Sequence, residues 1–178
     1  MTGQFTPRFF NNASQNEILA AIQTASREAL MTHDETGMLP IHYIAMIGGP
    51  DILKAIHSAG ISMDARTKWT KETGLHSAIT EEMVEKLVSL GADMNVKNSN
   101  GHTPLHIMIA FGREEAARKI IELGADLNVQ TVFGESFEDF CVTQNNPRIN
   151  LAIQVRRNAD KICHWNFIPF TESRSYAW

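Results

Sequence analysis

The chain has 178 residues, enough for one domain with a sizeable core and too few for two large ones. Hydrophobic residues make up 43% and the formal net charge is −4. These values exclude a disordered polar chain, a collagen-like chain and a general nucleic-acid binder, which would need surplus cations to displace counterions. No run of about 18 apolar residues offers a membrane span, and the stretch from Met1 to Phe10 has no apolar signal core. Two cysteines, Cys141 and Cys163, are too few for a disulfide framework, so free thiols and a cytoplasmic setting are expected, of the producing cell or of a host cell if the chain is delivered.

The first predicted element is a capping helix within residues 1–33. Ser14 and Glu17 have capping-box spacing, and Ile18, Ile22, Ala25 and Ala29 share one face of the helix they open. Phe5, Phe9 and Phe10 are expected to seal that end. A phrase then recurs. Gly37-Met38-Leu39-Pro40-Ile41-His42 opens a unit over 34–66 that closes at Gly60-Ile61-Ser62-Met63-Asp64. Thr73-Gly74-Leu75-His76 opens a shorter unit over 67–97, closing at Leu90-Gly91-Ala92-Asp93-Met94-Asn95. Gly101-His102-Thr103-Pro104-Leu105-His106 opens the third, over 98–130, closing at Leu123-Gly124-Ala125-Asp126-Leu127-Asn128. In the first and third units a Pro-led turn starts an inner helix and a glycine breaks it; the second unit has Gly74 in place of the proline and lacks that break, and in all three an outer helix ends on a glycine suited to a left-handed cap. A helix pair of this kind cannot bury its own apolar face, so the units must stack.

This chain resembles the ankyrin repeat on those opening and closing phrases, which recur in order over roughly residues 34–130. The resemblance implies an all-α ankyrin-repeat solenoid with hairpin tips and helical end caps, working as a protein–protein interaction module. It gives His42, His76 and His106 a structural role at the turns. They are expected about 10 Å apart by helix-to-helix spacing, too far to share one zinc ion at ~2 Å ligand distances. It also places Asn95 and Asn128 where some members of the family are hydroxylated.

Departures from the pattern are informative. His76 to Gly91 spans 15 residues where the other two units span 18, and the missing residues fall at the end of the inner helix, so a shallow notch is expected there. After 130 the pattern decays: Phe133-Gly134-Glu135-Ser136-Phe137 opens a fourth unit without proline, and Asp139 falls where the histidine belongs. Asn146-Pro147 then starts a helix with Leu151, Val155, Ala159 and Ile162 on one stripe. The tail beyond holds Trp165, Phe167, Phe170, Tyr176 and Trp178. Arg148, Arg156, Arg157 and Lys161 make residues 147–164 basic against a −7 body over 31–146, either as a solvated helix face or for an acidic partner.

No nucleophile elbow, phosphate loop or metal-ligand spacing is present, so neither cofactor nor metal is expected and the chain reads as non-enzymatic. The sharper signals concern binding. Arg66-Thr67-Lys68-Trp69-Thr70-Lys71 forms a hairpin tip one residue longer than the others and without their glycine. A tryptophan framed by Arg66, Lys68 and Lys71 has the composition of an interface hot spot; the competing reading folds Trp69 onto Met63 or Met94. At outward-facing ends of inner helices, Met46-Ile47 and Ala110-Phe111 suggest an apolar patch for a partner, or for a cap or the tail. The expected partner is a protein, not nucleic acid or membrane, bound by a monomer or in a hetero-complex. By analogy the chain is an effector or adaptor of a virus or intracellular bacterium; the alternatives are a stoichiometric inhibitor or immunity protein, and an enzyme with a site in 131–178.

Overall fold

The computed structural model describes residues 5–144 together with Ile153, Gln154 and Arg157. Within them the chain is a succession of short helices and hairpin loops, with one isolated bridge between Gln130 and Ser136 as the only β-pairing. This is the expected all-α solenoid.

The N-terminal cap is more divided than its apolar stripe suggests. Helix α1 (Pro7–Asn12), which sequence patterning missed, starts on Thr6 and presents Phe10 to Tyr43, the rings stacked at 4.8 Å. Phe5 is buried with Phe10, so this cluster does seal the end. Helix α2 (Gln15–Thr24) has the capping box: the Ser14 N–H donates to the Glu17 carboxylate at 2.7 Å. It stops at Thr24, well short of Ala29. The Ser26 hydroxyl offers the backbone a competing partner and caps a separate turn, α3 (Arg27–Leu30), accepting from Ala29 N–H.

The repeats follow as inner–outer pairs: α4 (Pro40–Ile47) with α5 (Pro50–Ser58), α6 (Gly74–Ser77) with α7 (Glu81–Ser89), and α8 (Pro104–Ala110) with α9 (Glu114–Leu123). Inner helices pack on inner and outer on outer, around one continuous apolar core running from Phe5 to Ile153. Helix α10 (Phe137–Gln144) extends the inner layer by packing on α8.

The histidines tie this stack together. The Thr73 backbone N–H donates to Nδ1 of His76 at 3.1 Å, and Nε2 reaches the His102 carbonyl of the next repeat at 3.1 Å. His42 does the same between Leu39 N–H and the Glu72 carbonyl. A backbone N–H only donates and a carbonyl only accepts, so each ring is a neutral imidazole with its proton on Nε2. A second ladder runs along the hairpin arms. His33 Nε2 meets the Arg66 carbonyl, Arg66 Nη1 donates to the Lys97 carbonyl at 3.0 Å, and Lys97 Nζ donates to the Gln130 carbonyl at 3.0 Å. Asp64 and Asn95 add a third, accepting from the backbone N–H of Asp93 and Asp126 respectively.

The pattern changes at the fourth unit. Asp139 takes the histidine's place and accepts from the Ser136 hydroxyl at 2.6 Å and its N–H at 3.3 Å. His106 Nε2, fully buried, finds no acceptor among the described residues and faces the Phe137 and Phe140 rings instead. Ile153 is buried against this end. The stripe Leu151, Val155, Ala159 and Ile162 and the aromatic tail lie outside the described residues.

Burial pushes the imidazoles of His76 and His106 down to about 4 and lowers that of His42. In the unfolded chain they titrate near 6.5, so between about pH 6.5 and 4 the unfolded state binds protons at His76 and His106 that the folded state refuses, and His42 acts in the same direction. Stability is therefore complete above pH 6.5 and declines as pH falls, by up to about 1.4 kcal/mol per pH unit for each histidine. Urea midpoints recorded from pH 7 to 4.5 should fall steadily; a flat profile would mean that the imidazoles are not held neutral.

Candidate protein-binding surface

The shortened repeat leaves its mark on the inner layer. Helix α6 has four residues where α4 has eight and α8 seven. Its truncated end exposes the carbonyls of His76 and Ala78, and Nη1 of Arg113 donates to both, at 2.9 and 3.2 Å. Burial lowers the pKa of this guanidinium, which also lies 5.2 Å from the Phe111 ring centre. The expected notch is thus a cleft of about 350 Å³ lined by Ile79, Gly112, Arg113, Glu114 and Glu115.

Met46 and Ile47 at the end of α4 are exposed, as are Ala110 and Phe111 at the end of α8, Phe111 to 70%. Ile79, in the shortened repeat between those two, is exposed as well. Sequence reasoning missed it because the deletion shifts it out of register with the other pairs.

On the hairpin side, the second turn closes from Thr67 N–H to the Glu72 carbonyl, one residue longer than Asp34 to Met38 or Asn98 to His102. Where the other turns place Gly37, Gly101 and Gly134 at φ near +77°, this one forces Lys71 to φ +59°. Trp69 is 63% exposed. Its ring lies on Gly37 of the preceding hairpin, so close that a Cβ there would come within 2.5 Å of Cδ1 and Nε1. Met63, offered as an alternative neighbour, is buried in the core, and Met94 packs against that core. Lys68 Nζ sits 4.5 Å from the Trp69 ring centre, within cation–π range. Arg66 is occupied differently, its Nη1 donating to the Lys97 carbonyl and, at 3.5 Å, to that of Lys71.

Among the described residues no carboxylate pairs with Arg66, Lys68 or Lys71, whereas three outer-helix cations do find one: Lys54 with Asp51, Arg118 with Glu81 and Lys119 with Glu85. Two further exposed apolar residues escaped the sequence reading, Val132 and Phe133 at the fourth tip. They occupy the register of Lys68 and Trp69, which would have revealed them.

Reactive groups do not converge in the described part. No three His, Cys, Asp or Glu side chains there are placed to hold a metal ion. The Cys141 thiol is buried and pushed up to about 11, and the Asp139 carboxylate is engaged by the Ser136 N–H and hydroxyl at a helix start. Cys163 and His164 lie outside the described residues.

Residues 41–131, just over half of the chain, match a family model described as ankyrin repeats in three copies. No curated protein matches the chain. None of the described helices is long and apolar enough to cross a membrane.

Replacing Arg113 with Ala leaves two carbonyls at a truncated helix end without their charged donor, and should cost about 1.5–3 kcal/mol in chemical denaturation. Arg113→Lys should recover part of that loss. Lys71→Gly relieves a left-handed backbone worth about 1–2 kcal/mol and forfeits about 0.5–1 in chain entropy. The urea midpoint should therefore rise slightly; a fall would show that the Lys71 side chain contributes to folding.

Proposed function

This chain belongs to the ankyrin-repeat family, whose repeats generally serve as protein–protein interaction modules, and from that premise we propose that it holds one protein partner across repeats one to three without catalysing a reaction. The grip consists of the second hairpin tip, with Trp69, Lys68 and Lys71 and with Arg66 at its base, and of the inner-helix ends with Met46, Ile47, Ala110 and Phe111.

The observation that carries this reading is Trp69. A large ring held against a neighbouring glycine, 63% open to solvent and beside cations that pair with no described carboxylate, adds little to folding and is already ordered for contact. Aromatic and basic residues on an ordered element are the composition of binding hot spots. The exposed apolar pairs flanking the Arg113 notch supply a second patch.

The biological setting we favour is an effector or adaptor of a virus or intracellular bacterium acting on a host protein in the cytoplasm, by analogy with small irregular ankyrin proteins. A stoichiometric inhibitor or immunity protein uses the same surface, and the projecting tip suits entry into an enzyme's cleft. Capture from host lysate as against lysate of the producing cell separates the two.

The double variant Trp69→Ala with Lys68→Glu should weaken partner binding by about 2 kcal/mol or more, some 30-fold in Kd, as read by calorimetry with the captured protein. Because both side chains are exposed, the thermal midpoint should stay nearly unchanged. Loss of folding instead would make Trp69 a structural residue.

A further inference from the structure

The four hairpin turns are in register along one edge of the stack. Each opens with a residue whose N–H bonds forward across the loop, at Asp34, Thr67, Asn98 and Thr131. The residues that follow are the tips: Glu35-Thr36, Lys68-Trp69, Ser99-Asn100 and Val132-Phe133. Main-chain hydrogen bonds join each tip to the next, from Lys68 N–H to Gly37 carbonyl at 2.8 Å, Ser99 to Thr70 at 2.8 Å, and Val132 to Asn100 at 3.3 Å. The tips therefore form one braced ridge.

Apolar and polar tips alternate along it. Phe133 is 83% exposed, with Val132 open beside it, although both belong to an ordered turn in which the Thr131 hydroxyl accepts from Phe133 N–H. Nothing in the core uses that ring. Trp69 stands two hairpins away, about 20 Å at helix-to-helix spacing. The stretch between them is positively charged: Arg66, Lys68, Lys71 and Lys97 are exposed, and none pairs with a carboxylate of a described residue. Of the carboxylates on the same edge, Asp64 accepts from Asp93 N–H and Glu72 from the Asn98 amide, while Glu35 lies at the first tip and Glu135 closes the fourth turn, at the two ends of this stretch.

We infer that Val132 and Phe133 are a second anchor of the binding surface, and that the ridge takes an extended acidic segment carrying one apolar side chain for Trp69 and another for Phe133. This rests on the reading that the tips grip a protein. In an extended segment, residues i and i+6 lie on one face and about 20 Å apart, which matches the two anchors. The carboxylates between them meet the lysines.

A random 16-residue peptide library displayed on phage and panned against the full-length chain tests this. Enriched peptides should be net acidic, with two apolar residues about six positions apart. Synthetic versions should lose at least tenfold in affinity to Phe133→Ser and to Trp69→Ala, with a smaller loss to Val132→Thr. They should also weaken as salt rises from about 50 to about 500 mM. Thermal melts of the variants should be unchanged, since these side chains are exposed. Acidic peptides that respond to Trp69→Ala but not to Phe133→Ser or Val132→Thr would overturn the second anchor and leave the proposed function standing. Peptides indifferent to all three variants would sink both. Neutral or basic peptides, or no enrichment, would overturn the acidic segment.

Discussion

A neutral imidazole bonded at both nitrogens is the joint on which this structure depends. In His42 and His76, Nδ1 holds the start of its own inner helix and Nε2 holds the hairpin of the next repeat. One side chain thereby satisfies a helix-start donor and adds a second bond to a loop carbonyl that already closes its own turn by accepting from Thr67 or Asn98 N–H. The bond also fixes register, because it forms only when successive turns are aligned. The hairpin ridge, with its tip-to-tip main-chain bonds, inherits that alignment. In the fourth unit, Asp139 reproduces the inward half of the joint by accepting from Ser136 but, as a carboxylate, has no N–H to pass on. His106 is the converse case, with its outward proton left facing two phenylalanine rings. Among the described residues, the junction of repeats three and four therefore replaces the histidine bond with contact to the Phe137 and Phe140 rings, and keeps the main-chain bond from Val132 N–H to the Asn100 carbonyl.

The second repeat shows how a small deletion is absorbed. Losing residues from the end of α6 does not disturb α7, whose Met83, Val84 and Leu87 remain buried. The cost falls on the carbonyls of His76 and Ala78, and it is met from the following repeat by Arg113. A guanidinium suits this role because its fixed fork presents several donors and stays charged when partly desolvated. The same side chain braces Phe111, so the repair of a backbone defect and the display of an exposed ring are one feature.

Much of this could be read from residue order. Opening and closing phrases gave the repeats and the three histidines, and the missing residues between His76 and Gly91 gave the notch. The lengthened turn at Thr67–Glu72 was visible as an extra residue without a glycine. What could not be read depends on partners brought together by folding. Arg113 looks like an ordinary first-turn residue until α6 ends beside it. Ile79 is hidden by the shift that shortened its repeat. Arg66, singled out for its charge, spends Nη1 on the Lys71 carbonyl and on that of Lys97, a residue far from it in sequence. The break between α2 and α3 was written at Ser26, but a regular apolar stripe concealed it.

Charge is distributed so as to separate scaffold from surface. On the outer helices Arg118, Lys119 and Lys54 each meet a carboxylate. Exposed pairs of this kind add little to stability, and their main consequence is a face with its cations locally neutralised. On the hairpin side the lysines instead lie beside Trp69 or reach a main-chain carbonyl, and their charge stays uncompensated by the described carboxylates. A chain with a net charge of −4 thus keeps a group of cations, Arg66, Lys68, Lys71 and Lys97, along its hairpin edge. Such a group would steer an acidic partner toward the ridge during encounter, and on the proposed function the exposed rings there would determine how long it stays. Because the ridge is braced by main-chain bonds before any partner arrives, little further ordering is needed on binding. The buried imidazoles thus fix the spacing of the tips, and on the proposed function that spacing is what a partner would meet.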